Sequence, residues 1–260
     1  MRIQTYDIIP VLQAYVKLIC TMDCDDDTET SHIRVLPDTC AELFLNYTNT
    51  PVAHIGGELH QRSIVTFRMN QFMDVQMRKG AGVVAVCFHP GMAYRFIQIP
   101  MHELSNTTTA LADVWHDMAT ALEEKMACAG CNEDRVGLIQ QYLFGQLAYA
   151  KDDLHMTQCL SAAQSSGGLV PARQLAFDTG LSQRQLSRKF QEQVGLSPKE
   201  YLRVYRFIRS LDHLKRHPVL SLTEIACKSG YYDQAHFIRD YKDYTGYTPR
   251  QVALNQDILF

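Results

Sequence analysis

At 260 residues, 46% hydrophobic and 20% charged, the chain reads as a soluble globular protein of one or two domains with room for a sizeable core. No apolar run reaches the length of a membrane span and the opening MRIQTYDIIPVLQ lacks a secretory pattern, so a cytoplasmic protein with no membrane partner is expected. The net charge of −3 conceals a division: residues 1–169 carry 11 Lys/Arg against 19 Asp/Glu, whereas residues 170–260 carry 14 against 9, which points to a polyanion partner for the C-terminal part alone.

The first hundred residues are expected to be β-rich. IRVLPDTCAELFLNY (33–47), SIVTFRM (63–69) and GVVAVCF (82–88) are short β-branched and apolar runs, punctuated by Pro37, Gly56-Gly57, Gly80, Gly82 and Pro90-Gly91. The acidic stretch DCDDDTET (23–30) has a calcium-loop-like spacing, but Thr28 stands where that loop needs glycine and Arg34 where it needs Glu, so a solvated loop is expected. FHPGMAYRF (88–96) places His89, Tyr94 and Arg95 around a Pro-Gly turn, and these three are the candidate ligand-binding residues. From Leu111 the spacing becomes helical, with Leu111, Val114, Trp115, Met118, Ala119, Leu122 and Met126 on one side. RVGLIQQYLFGQLAYA (135–150) predicts another helix. The polar KDDLHMTQ (151–158) is the candidate boundary, dividing a β-rich sensor or oligomerisation domain with trailing helices (1–150) from an all-helical domain (151–260).

The eight cysteines, with no secretory context, are expected to be reduced. Neither Cys128/Cys131 nor Cys20/Cys24 has the flanking residues of a zinc or thioredoxin-like site, so no metal or cofactor is expected. Among His32, His54, His60, His89, His102 and His116 there is no His-x-His pair for a metal-dependent cupin enzyme, and no catalytic residues are assigned.

Beyond residue 170 the chain repeats itself. Leu175-Ala176 and Gly180 recur fifty residues on as Ile225-Ala226 and Gly230; Leu186, Arg188, Phe190, Gly195 and Pro198 recur fifty-one on as Phe237, Arg239, Tyr241, Gly246 and Pro249. Each copy predicts a helix, a glycine turn and a second helix, with Ser182 and Asp233 as N-caps. Leu186, Phe190 and Val194 form the buried stripe of the first copy, and Phe237 and Tyr241 that of the second. The opposite faces carry Arg184, Gln185, Ser187, Arg188 and Gln191 in one copy and Gln234, His236 and Arg239 in the other, residues able to read guanine and adenine edges or neutralise phosphates. PKEYLRVYRFIRSLDHLKRH (198–217) predicts one connecting helix of about 30 Å, against the roughly 34 Å between successive major grooves.

LAFDTGLSQRQLSRKFQEQVGLSPKEYLRVYRF and IACKSGYYDQAHFIRDYKDYTGYTPRQV resemble the DNA-binding domain of the AraC family of bacterial transcription regulators, over residues from about 155 to 253. The resemblance implies seven helices with two helix-turn-helix units, and base-reading positions at Arg184, Gln185, Ser187, Arg188, Gln234, Ala235, His236 and Arg239. Tyr232 and His236 depart from the family pattern, which has smaller polar residues there. LPDTCAELFLNY, the Gly56-Gly57 turn and VCFHPGMAYRFIQIPMHEL (86–104) resemble the N-terminal domain of an AraC-type subgroup with no established ligand, which implies a cupin-like sensor. A sequence-specific regulator of transcription is expected, binding double-stranded DNA and a small-molecule effector, with RNA polymerase as a partner if it activates and a homodimer through the N-terminal domain. The alternatives are a constitutive regulator whose N-terminal domain only oligomerises, and an enzyme with a catalytic N-terminal domain.

Overall fold

A computed structural model describes residues 1–24, 32–147, 153–255 and 258–259. The N-terminal region opens with nine strands: β1 (Arg2–Tyr6), β2 (Val16–Asp23), β3 (His32–Val35), β4 (Ala41–Asn46), β5 (Ala53–Ile55), β6 (Glu58–His60), β7 (Ile64–Phe67), β8 (Met73–Met77) and β9 (Gly82–Phe88). Helix α1 (Met101–Leu104), strand β10 (Thr108–Ala110) and helices α2 (Leu111–Trp115), α3 (Asp117–Cys128) and α4 (Asn132–Leu147) follow. The strands form a six-stranded sheet in the order β1-β2-β9-β4-β7-β10 and a second sheet containing β3-β8-β5-β6. All seven residues of β9 are buried, as expected of GVVAVCF lying between β2 and β4.

Among the described residues the C-terminal region has seven helices: α5 (Leu154–Ser165), α6 (Ala172–Asp178), α7 (Gln183–Gln193), α8 (Pro198–Arg216), α9 (Leu222–Lys228), α10 (Gln234–Thr245) and α11 (Pro249–Leu254). A final strand, β11 (Ile258–Leu259), returns to the N-terminal region and pairs in parallel with β3, at the edge of the second sheet. One hydrophobic core runs through both regions, from Leu43, Phe67 and Phe88 through Trp115 and Ile139 to Phe190, Phe207 and Tyr241.

The β-rich start and helical end match the sequence reading, with local differences. The helix expected from Leu111 is two helices, because His116 adopts φ 51° between them; Met118, expected on the buried side, is half exposed. Trp115 is a core residue whose indole donates to the Phe96 carbonyl at 2.8 Å. The expected domain boundary at 150/151 and most of the acidic stretch lie outside the described residues. Among the described residues, no helix is long and apolar enough to cross a membrane.

Candidate nucleic-acid interface

The two copies of the repeat are built alike. Gly180 and Gly230 follow α6 and α9 with φ of 68° and 76°, a conformation that a β-carbon opposes. Ser182 then caps α7, accepting from the Gln185 amide, while the Gln185 side chain accepts from the Ser182 amide at 2.9 Å. Asp233 caps α10 through the His236 amide at 2.7 Å. Gly195 and Gly246 close the two helices with φ of 89° and 75°, and Ser197-Pro198 and Thr248-Pro249 start the next ones, each with a capping box. The stripes are buried as expected: Leu186, Phe190 and Val194 in α7, Phe237 and Tyr241 in α10.

What remains outside is polar. Arg184, Gln185 and Arg188 on α7 and Gln234, Ala235 and Arg239 on α10 are exposed, and Ser187, Gln191 and His236 are half-buried. Among the described residues Arg184 and Arg239 have no ion-pair partner, and Arg188 only a loose one, Glu192 at 3.9 Å. Two expected base readers are already engaged. Gln185 completes the α7 cap, and the His236 imidazole lies 3.6 Å from the Asp240 carboxylate and edge-on to Tyr231.

Helix α8 joins the copies. Its 19 residues span about 28 Å; of the apolar side expected from sequence, Tyr201, Leu202 and Leu211 are buried with Val204 and Phe207, whereas Tyr205 and Ile208 are half-buried. Arg203 reaches from α8 to α10, where its guanidinium donates twice to Oδ1 of the fully buried Asp240, at 2.7 and 2.9 Å, and once to Asp243 at 2.6 Å. Burial opposes the Arg203 charge, but these carboxylates outweigh it and raise its pKa. The orientation of α10 relative to α8 is thereby fixed by a charge-assisted network.

Both recognition helices end against the N-terminal region. At the end of α7, Ser105 Oγ, next to α1, donates to the Gly195 carbonyl at 2.7 Å. At the end of α10, Arg34 of β3 donates to the Thr245 carbonyl at 3.1 Å, pairs with Asp74 at 2.7 Å, and stacks between Phe72 and Tyr247. Asp153, the α5 cap, also grips α7 through Lys189 and Gln193.

The candidate ligand residues His89, Tyr94 and Arg95 lie together but outside the cavity of the N-terminal region. His89 Nε2 is 3.2 Å from the Gln13 carbonyl, and the buried Arg95 donates to Tyr15 and stacks on Tyr15 and Tyr94. The cavity itself, of about 360 Å³, lies between strands of the two sheets and is partly open to solvent. Its wall is mostly apolar, including Met22, Val35, Phe44, Ile55, Ile64 and Met77. Lys17, Asp38, Glu42 and Arg68 supply the charged part of the lining. Arg68 is buried against Glu42 and Asp38, and these carboxylates outweigh the burial penalty and raise its pKa. Among the described residues, Thr66 Oγ1 and Arg68 Nε, on the same face of the β7 segment, are buried without a hydrogen-bond partner. The sequence reading missed this cavity; Glu42 and Arg68, single charges within apolar strand runs, were the available signs of it.

Comparison with known proteins agrees with this geometry. Residues 175–254 match the family model of a helix-turn-helix domain, and residues 4–110 match a domain of unknown function (DUF6597). The C-terminal region is therefore a helix-turn-helix domain. Over 85 residues it is 37% identical to the HTH-type transcriptional activator RhaS of Citrobacter koseri, and over 83 residues 35% identical to RhaS of Escherichia coli. These matches cover 33% and 32% of the chain and 30% of each relative, so the chain spans less than a third of the length of the relatives it matches. ToxT from Vibrio cholerae aligns over 97% of this chain and 98% of its own at 12% identity, with a TM-score of 0.48.

Proposed function

We propose that the chain is a sequence-specific DNA-binding regulator of transcription, and that occupancy of the cavity between its two sheets adjusts DNA binding. The observation that carries this reading is the pair of capped helices α7 and α10, each burying its apolar stripe and presenting Arg and Gln outward, held on one 19-residue helix. The basic excess of residues 170–260 supports it. Arg184, Arg188 and Arg239 are the leading base or phosphate contacts, with Gln234, Ala235, Ser187 and Gln191 beside them. Gln185 and His236 act first in holding the fold.

Sensing is supported by the cavity rather than by the His89 cluster. An apolar cavity with two buried polar atoms unpartnered among the described residues, Thr66 Oγ1 and Arg68 Nε, suits an apolar molecule carrying a hydrogen-bond acceptor. The division of labour near residue 150, a homodimer through the N-terminal region and contact with RNA polymerase belong to the same reading. No catalytic step is assigned to the chain.

The test is selection of bound sequences from a random duplex pool at physiological salt, with the intact protein and Arg188→Ala in parallel. Two sequence-specified clusters about one helical turn apart are expected. Arg188→Ala should blur the first cluster and weaken specific binding by roughly 1–3 kcal/mol, with little effect on unrelated DNA. Enrichment of no sequence, with or without molecules that raise the melting temperature, would overturn the reading.

A further inference from the structure

At one end of the cavity, three side chains that the regulator reading leaves without a role come together. Asp38 and Cys40 lie just before β4, and Cys87 lies on β9. One carboxylate oxygen and the two sulfurs are all within 4.8 Å of one another. Asp38 and Cys87 line the cavity, whereas Cys40 is only 1% exposed and lies near Tyr201 and Tyr205 of α8. We propose that Asp38, Cys40 and Cys87 form a binding site for a thiophilic d10 cation, Zn2+ in the first instance, between the cavity and the helix that joins the two DNA-binding units.

The donor chemistry selects the ion. Two thiolates and one carboxylate suit zinc and are poor ligands for magnesium or calcium, which prefer oxygen alone. In a tetrahedral zinc site such donors stand about 3.5–3.8 Å apart, so closure from the observed spacing needs side-chain movements of about 1 Å. The fourth position falls to water or to Glu42, which lines the same cavity as Asp38 and Cys87.

Charge also balances. With both thiols protonated, Asp38 and Glu42 are matched by Lys17 and Arg68, giving a formal charge of zero. Binding a divalent cation releases one proton from each thiol to solvent, and the sum is again zero. The buried cluster therefore accepts the ion without a net charge in a low-dielectric setting. Because binding releases protons, ion uptake should strengthen as pH rises.

The experiment uses the full chain carrying Cys128→Ser and Cys131→Ser, which removes the exposed CxxC as a competing site. Reduced protein is titrated with Co2+ at pH 7.5, without DNA, and the thiolate-to-cobalt charge-transfer band is followed. One equivalent is expected, displaced by Zn2+, with the band abolished or the affinity at least about tenfold weaker in Cys40→Ser and in Cys87→Ser, and retained in Cys20→Ser. Should Cys40→Ser fail to fold, Cys87→Ser carries the test, because its side chain borders open cavity. No band in the parent with its thiols verified free, or a band unchanged in both serine variants, would overturn the site. Because uptake is read without DNA, a failed operator selection leaves it standing.

Discussion

Gly195→Ala probes the joint between the recognition helix α7 and the N-terminal region. Two costs are expected. Gly195 has φ of 89°, and a β-carbon there opposes the conformation by roughly 1–2 kcal/mol. The new methyl would also lie 2.8 Å from the Met101 carbonyl oxygen of α1 and closer still to Ser105 Oγ. Ser105 can rotate but the backbone carbonyl cannot, so relief requires α1 and α7 to separate, at about 1–3 kcal/mol more. Gly180→Ala supplies the reference, because at φ 68° its β-carbon would meet nothing within 4 Å. Denaturant unfolding of both variants should therefore show Gly195→Ala lower in stability by about 2–5 kcal/mol, and Gly180→Ala by only the first 1–2. Equal losses would refute the claim that α1 is packed against the end of α7.

Two further perturbations test the supports of the interface. Arg203→Ala leaves the fully buried Asp240 carboxylate without its main partner and should cost roughly 2–4 kcal/mol in denaturant unfolding, a figure reduced from the usual loss for a buried pair because Arg203 is 37% exposed; Arg203→Ala combined with Asp240→Asn should recover part of it, and no recovery would show that the pair is not the cause. Asp153 has a lowered pKa: burial raises it, but hydrogen bonds from Lys189, Gln193 and the Met156 amide prevail. A lowered folded-state pKa contributes stability that is present above the unfolded value of 3.8 and lost as pH falls through the folded one. Asp153→Ala should thus cost about 1 kcal/mol or more near neutrality and flatten the loss of stability below pH 4, as read from melting temperature against pH.

The repeat was legible because its information is local. Glycines at fixed offsets, N-caps and a four-residue apolar spacing determine helix ends and faces within a dozen residues, and Gly180, Gly195, Gly230 and Gly246 all take the positive φ their positions imply. The N-terminal strands were less so. The buried runs in β4, β7 and β9 stood out, whereas β1, with four of its five residues exposed, and the short β10 owe their conformation to pairing with strands elsewhere in the chain. The cavity's charged cluster draws on β2, the residues before β4, β4 itself and the residue after β7, and no sequence spacing brings those together. The same holds for Gln185 and His236: outward placement was readable, but their engagement by a cap and by Asp240 depends on side-chain geometry.

The contacts at Gly195 and Thr245-Gly246 bear on how such a protein can be rebuilt. Corresponding points of the duplicated unit touch different parts of one N-terminal region, α1 in one case and β3 in the other, and the chain's last described strand pairs with that same β3. The helix-turn-helix half is therefore not a cassette that could be fitted to another N-terminal region by matching a linker. A graft would have to supply a hydroxyl for the first joint, a stacked guanidinium for the second and an open sheet edge for the strand. If the cavity senses a ligand as proposed, new responses are expected to arise inside it, where residues can change without disturbing any of the three.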